Sequence, residues 1–290
     1  MLALGAALAY GVADFLGGAV ARRSTALRAL VWCVPVGLLV VLASALVTGG
    51  SAAPAPIAVG FGAGIAGGAG LITFYRALAR GPMSVVAPVS ALAAAVLPVG
   101  VGLLRGERLD AAVLLGVLLC LVAIGLVSME DATDREAAAP GTPRWRRLPD
   151  SGPLMAGLSG ILFGVFFVLL GTAGDGAGLW PVVGARLGNI AVIGAALLVT
   201  ARLRGDIGPP VSGRVMIGLA LLSGTLDAGA NGLYFLAVQH GMLSLAAVLT
   251  SLYPAVTVLL ARAAYSERLR GVQRVGMAVA VAGVALVTVG

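Results

Sequence analysis

Long apolar runs, each separated from the next by a few polar residues, fill most of the sequence. Ten of these runs are near the length that a helix needs to cross the hydrocarbon core of a bilayer. Helices satisfy their own backbone hydrogen bonds in lipid, and a run such as 111–127 lacks the alternation of a barrel strand. The pattern therefore predicts ten transmembrane helices, at about residues 2–20, 27–47, 57–79, 82–104, 109–128, 153–173, 179–201, 213–238, 241–263 and 269–289.

The sequence repeats itself at a constant interval of 160 residues. Gly81 aligns with Gly241, and the run Glu107-Arg108-Leu109 aligns with Glu267-Arg268-Leu269 without a gap. A shared Glu-Arg-Leu step is harder to obtain by chance than matched alanines or leucines. The repeat indicates an internal duplication, which gives the chain two homologous halves.

One segment between the halves is rich in charge and proline instead of apolar residues. It begins with acidic residues, contains three prolines and closes with three arginines, which is typical of a solvated linker. The predicted organisation is therefore a first repeat at 1–128, a linker at 129–152 and a second repeat at 153–290. Because each half holds five spans, an odd number, the second half enters the membrane from the opposite side. Inverted repeats of this kind are typical of secondary transporters, which bind substrate between the repeats near the midplane.

Composition agrees with a membrane protein and bears on its orientation. Only 11% of the 290 residues are charged, whereas a soluble domain carries roughly a quarter. The net charge of +7 does not indicate nucleic-acid binding, because 16 of the 19 basic residues, all arginine, lie in the linker or in the loops after odd-numbered spans. The positive-inside rule places those loops in the cytoplasm and both termini outside.

Three charged residues inside apolar spans are the leading site candidates, because a buried charge is costly in hydrocarbon. Polar residues lie near each of them at helical spacing. One interpretation is an ion pair that holds helices together. We favour the lining of a polar cavity, since amide and phenol groups surround these charges. Prolines in the fourth and ninth spans place further polar residues near the same site. The predicted substrate-binding residues are Tyr10, Asp14, Ser90, Arg186, Asn189, Asp227, Asn231, Tyr234, Thr250 and Tyr253.

The same charges suggest how a solute could be bound and driven. A carboxyl group shielded from water can exchange a proton near neutral pH, so Asp14 and Asp227 are the candidate proton-coupling residues. A carboxylate would bind an ammonium group or the proton, and Arg186 would bind a carboxylate on the substrate. An amino acid would use both.

The sequence gives little support for dinucleotide binding, metal binding or catalysis. The run Gly62–Gly67 matches a dinucleotide-binding fingerprint, but it lies inside an apolar span with no strand before it. Gly60, Gly64 and Gly68 instead recur every four residues, which predicts close helix packing. We find no metal-ligand cluster and no nucleophile with a base. We therefore expect no cofactor, no metal site and no enzymatic activity.

Several motifs resemble the EamA family of the drug/metabolite transporter superfamily. The resemblance covers the whole chain. It rests on the openings of the two repeats, Leu8–Gly11 and Leu162–Gly164, and on their closings, Gly106–Leu109 and Ser266–Leu269. Two longer segments, Ala13–Gly18 and Tyr75–Pro82, also carry it.

The resemblance implies ten helices around a central cavity in a bacterial inner membrane, and export of small metabolites, amino acids or drugs. Such proteins usually have cytoplasmic termini, opposite to the arginine distribution here. Asp14 also resembles the first-helix carboxylate of small multidrug resistance proteins, which couples to protons. Alternatives are an exporter of lipophilic cations, an uncoupled facilitator or a membrane scaffold. We expect a monomer or homodimer in the bilayer, with a small-molecule substrate and protons as partners and no nucleic acid.

Overall fold

The computed structural model describes residues 1–81, 83–106, 111–127, 152–174, 176–204, 207–241, 243–250, 252–265 and 271–289. The regular structure within these ranges is all α-helical. Seven segments among the described residues are long and apolar enough to cross a membrane. The helices are α1 Leu2–Arg23, α2 Ala26–Thr48, α3 Pro54–Arg80, α4 Met83–Leu104, α5 Ala111–Val127, α6 Gly152–Gly171, α7 Trp180–Arg204, α8 Arg214–Gln239, α9 Leu243–Thr250, α10 Tyr253–Tyr265 and α11 Gly271–Val289.

The all-helical membrane fold is confirmed. The predicted ninth span, 241–263, is covered by α9 and α10, and residues 245–264 together are long and apolar enough to cross a membrane as one span. Pro254 is the second residue of α10, where its missing N–H leaves no helical hydrogen bond unmade. In α4, the counterpart of this region in the sequence repeat, the helix continues through Pro88 and Pro98. Nearly all of the predicted linker, together with Glu107 and Glu267, lies outside the described residues.

Helices from the first half of the chain pack mainly on helices from the second half. The most extensive contacts are those of α3 with α6 and α7, of α1 with α8, of α4 with α6 and of α5 with α11. Most contacts have a counterpart in which the halves are exchanged: α1 packs on α8 as α6 packs on α3, and α2 packs on α8 as α7 packs on α3. The inverted arrangement of the two repeats stays a prediction, and so do their boundaries.

Glycines let α3 and α7 approach at backbone distance, as the four-residue glycine spacing predicts. A Cβ added at Gly60 would overlap the carbonyl group of Pro181, and one added at Gly64 would overlap that of Ala185. The close approach is mutual, because a Cβ at Gly188 of α7 would overlap the carbonyl oxygen of Phe61. In a bilayer, where the hydrophobic effect does not drive helices together, such contact supplies much of the packing energy. This interface holds α7 in place beside the centre of the molecule.

A second close contact joins α2 to α8. A Cβ at Gly224 would overlap the carbonyl group of Cys33, and a Cβ at Gly37 would lie 3.1 Å from the carbonyl oxygen of Gly224. Ala228, one turn further along α8, has its Cβ 3.4 Å from the same added atom. Small residues on both helices therefore bring the middle of α8 against α2, and the side chain of Asp227 lies at this level of α8.

Candidate functional site

A cavity lies at the centre of the molecule, among helices from both halves of the chain. The centre of a water molecule can occupy about 40 Å³ of it, which is room for roughly three waters. Residues from α1, α3, α6, α7, α8 and α10 form its wall. They are Tyr10, Asp14, Gly67, Leu71, Phe163, Phe166, Phe167, Asn189, Asp227, Asn231 and Tyr253.

An ion pair between α7 and α8 lies at the edge of this cavity. The Nη1 atom of Arg186 donates to Oδ2 of Asp227 at 2.5 Å. The arginine side chain is 2% exposed and the aspartate side chain 15% exposed. Gly37 of α2 leaves room for the guanidinium, since an added Cβ there would lie 3.4 Å from Nη1. Close pairing of this kind offsets much of the cost of burying both charges, so the interpretation as a helix-holding pair describes Asp227 correctly, although Asp227 also lines the cavity.

Asp14 differs from Asp227 in having no partner. It lies in the middle of α1, is buried, and faces the cavity. Within the described part of the chain, no hydrogen bond or ion pair reaches its carboxylate. An ionised carboxylate that is buried and unpaired is costly. This side chain therefore favours either a proton or a positively charged ligand beside it.

Four further buried polar atoms around the cavity have no hydrogen-bond partner in the described structure. They are Tyr10 Oη, Arg186 Nη2, Asn189 Oδ1 and Asn231 Oδ1. The orientation of one amide is set by its other end, because Nδ2 of Asn231 donates to the backbone oxygen of Asp227 at 2.7 Å. Its Oδ1 is left as an acceptor. Buried polar groups are normally hydrogen-bonded, so a cluster of unpaired ones marks a place where water or a ligand binds.

Aromatic side chains from α6 form the opposite wall of the cavity, and sequence reasoning missed them. Phe163, Phe166 and Phe167 line the space. The ring of Phe167 lies 6.2 Å from that of Tyr10, edge to face, and Tyr10 in turn lies 6.2 Å from the ring of Tyr253. The spacing of these phenylalanines, at i, i+3 and i+4, places them on one helix face. Lipid-facing and core residues of a helix show the same spacing, so the sequence pattern alone does not identify these residues as a cavity wall.

A comparison with known protein families matches residues 150–289 to the model of the EamA-like transporter family. The second half of the chain is therefore similar to this family, in agreement with the resemblance seen in the sequence. Together with the apolar helices, the match supports a multi-pass membrane protein.

Solved structures support the fold over nearly the full length of the chain. Fourteen chains of solved structures match it. One of them, described only as a crystal structure of a protein, is 22% identical and has a TM-score of 0.67. The match covers 99% of this chain and 95% of that chain. At this identity the likeness concerns the fold alone. No curated protein matches the chain.

The structure brings together six of the ten predicted binding residues in the cavity wall. Arg186 reaches the site through Asp227, and Tyr234 packs behind the wall, where its hydroxyl donates to the backbone oxygen of Phe167 at 3.4 Å. The remaining two do not line the cavity. Ser90 shares a 2.9 Å hydrogen bond with Ser159 between α4 and α6, and Thr250 donates to the backbone oxygen of Ala3 at 3.5 Å.

A hydrogen-bonded chain supports the backbone beside Asp14. Ser223 of α8 donates to the carbonyl oxygen of Ala13 at 2.8 Å, and its hydroxyl also lies 3.2 Å from that of Tyr75. Gly17 makes room for Tyr75, because an added Cβ would overlap the phenol. The three helices α1, α3 and α8 therefore meet next to Asp14.

Proposed function

We propose that this protein is a proton-coupled secondary transporter that exports a small organic solute across the bacterial inner membrane. The observation that carries the proposal is Asp14, a buried carboxylate without a partner among the described residues, in a cavity between the two halves of the chain. A site between two packed halves is what alternating access requires. Export and the bacterial membrane are supported by the family resemblance.

Asp14 is the residue to which we assign the exchangeable proton. Its carboxylate has no counter-charge among the described residues, so we expect it to be neutralised either by a proton or by a bound positive group. Binding of one excludes the other, and this competition couples the two fluxes. Asp227 is less suited to the role, because Arg186 already neutralises it. Asp227 then serves mainly to hold α8 against α7 and to shape the cavity.

A membrane scaffold is the second candidate, favoured by the ion pair itself. Arg186 and Asp227 hold two helices together without any need for transport. A scaffold, however, gives no reason for the unpaired Asp14 or for the unpartnered amide oxygens of Asn189 and Asn231. Those groups favour transport.

Proton movement in sealed liposomes tests the proposal. The purified protein is reconstituted with a pH-sensitive dye inside, and amino acids and organic cations are added outside one at a time. We expect at least one solute to trigger proton movement, and Asp14→Asn to lower it tenfold or more. The matched control is Asp206→Asn, which removes a carboxylate between α7 and α8 in the sequence, and we expect it to leave the flux unchanged.

Two results would contradict the proposal in different ways. Uptake of a labelled solute without proton movement would identify an uncoupled facilitator. No movement of any solute by correctly folded protein, together with a melting temperature that falls when Asp227→Asn breaks the ion pair, would favour the scaffold.

A further inference from the structure

We propose that the cavity selects a compact organic cation with several N–H donors, such as a primary ammonium or guanidinium group. The inference rests on the proposed transport function and names the substrate class of the same site. It follows from the charge of the cavity, from its unpartnered acceptors and from its size.

The net charge of the described cavity is negative. Asp14 and Asp227 both line it, and the one arginine in contact with these residues, Arg186, is paired with Asp227. One negative charge is left, on Asp14. A carboxylate-bearing amino acid would need a free cation in the wall, and the described wall residues include no arginine. A positively charged solute meets Asp14 directly.

Two of the three unpartnered atoms on the described lining residues are acceptors, the amide oxygens of Asn189 and Asn231, and the third, the hydroxyl of Tyr10, can donate or accept. The unpartnered Nη2 of Arg186 does not belong to a lining residue, and its guanidinium is already paired with Asp227. Oδ1 of Asn231 is left as an acceptor because its Nδ2 is used by the backbone of Asp227. Oδ1 of Asn189 is buried without a donor on the neighbouring helix, and this asparagine is only 4% exposed. With the carboxylate of Asp14, these oxygens offer acceptors on α1, α7 and α8. A site with unpaired acceptors discriminates strongly against a ligand that lacks the matching N–H groups, because those acceptors then stay buried and unpaired.

The rest of the wall suits a small cation. Phe166, Phe167 and Tyr253 present aromatic rings to the cavity, and ring faces attract ammonium and guanidinium groups. The volume open to water centres, about 40 Å³, is too small for a large lipophilic cation without rearrangement of the wall. A guanidinium ion fits this description in charge, donors and size.

Three solutes, compared in the same liposomes, distinguish a cation with N–H donors from a cation without them and from a zwitterion. Guanidinium has one positive charge and six N–H donors, tetramethylammonium has the charge without donors, and alanine is a zwitterion. We expect guanidinium to trigger proton movement at least tenfold faster than either of the others at equal concentration. Asn231→Leu should lower the guanidinium rate tenfold and bring its ratio to tetramethylammonium close to one. Gln239→Leu, which removes an exposed amide at the end of α8, should leave the ratio unchanged.

The outcomes distinguish this inference from the function on which it rests. Equal rates for tetramethylammonium and guanidinium would overturn the role of the N–H donors. Movement of alanine but of neither cation would overturn the cation class and leave proton-coupled transport intact. No movement of any solute by correctly folded protein would overturn both proposals. The guanidinium preference of the unmodified protein does not depend on any variant folding.

Discussion

The middle of α1 and the middle of α8 look alike in sequence, but their aspartates have different surroundings in the structure. Each carries one aspartate in an apolar helix, with a polar or aromatic residue one turn away. Asp227 forms an ion pair with the guanidinium of Arg186 on α7, whereas Asp14 has no hydrogen bond or ion pair with any described residue. The difference arises from the neighbouring side chains, because Gly37 of α2 leaves room for the guanidinium of Arg186 beside Asp227, whereas the carboxylate of Asp14 faces the cavity.

The contrast separates two uses of a buried charge. A paired carboxylate contributes to the fold, since removing its partner leaves an uncompensated charge. An unpaired one contributes nothing comparable to the fold and keeps its capacity to bind a proton or a solute. Asp227 is therefore expected to control stability and Asp14 to control transport. Four substitutions test this division on one scale, the free energy of unfolding.

The largest loss of stability is expected from Arg186→Leu, which leaves Asp227 buried without its counter-charge. We expect a cost of about 3–5 kcal/mol, the usual range for breaking a buried pair from one side. Thermal unfolding in detergent, followed by tryptophan fluorescence, measures it. Arg202→Leu, near the exposed end of the same helix, is the control and should change the melting temperature little. Equal effects of the two substitutions would contradict the structural role of the ion pair.

The next largest effect is expected from Gly64→Ala, which acts on the ion pair from a distance. The added Cβ would overlap the backbone of Ala185, next to Arg186, and would push α7 away from α3. Overpacking of this kind costs about 1–3 kcal/mol. Gly62→Ala is a matched control on the same helix, because its Cβ would meet nothing within 4 Å. A loss no greater at Gly64 than at Gly62 would mean that the close helix contact does not exist.

A smaller loss is expected from Ser223→Ala, which acts on the α1 side of the comparison. It removes the hydrogen bond to the carbonyl of Ala13 and leaves the buried hydroxyl of Tyr75 without this partner. The expected cost is about 1–2 kcal/mol. Ser44→Ala removes a hydroxyl that bonds only within its own helix and should cost less. If Ser223→Ala also lowers the proton flux, the backbone beside Asp14 is part of the coupling machinery.

The smallest change in stability is expected from Asp14→Asn, which has no ion pair to break. We expect a change below about 1 kcal/mol, as for a substitution that disturbs no buried network. The same exchange at Asp227 would leave Arg186 buried beside a neutral amide and should cost several times more. Melting temperatures of the two variants, measured side by side, check this difference. A greater loss at Asp14 would show that a structural partner holds this carboxylate.

Part of the candidate site was predictable from residue types and spacing alone. Asp14, Asp227 and Arg186 stand out because ionisable residues are rare and costly in apolar spans. Asn231 lies four residues after Asp227, a spacing that any helix converts into proximity. Ser90 and Thr250 were named for their nearness to prolines in the sequence, and the structure has them bonded between helices at other places. The aromatic wall of α6 was missed because the apolar face of a membrane helix has the same sequence pattern whether it contacts lipid, protein or a cavity.

The sequence by itself determined the class of protein, the helical spans and the residues whose burial is costly, because each of these depends on local hydropathy and on spacing along one helix. Only the tertiary structure decided which aspartate pairs with Arg186 and where the cavity lies. Those outcomes depend on which helices touch, and that depends on contacts between residues far apart in the chain, such as Gly64 with Ala185 and Cys33 with Gly224.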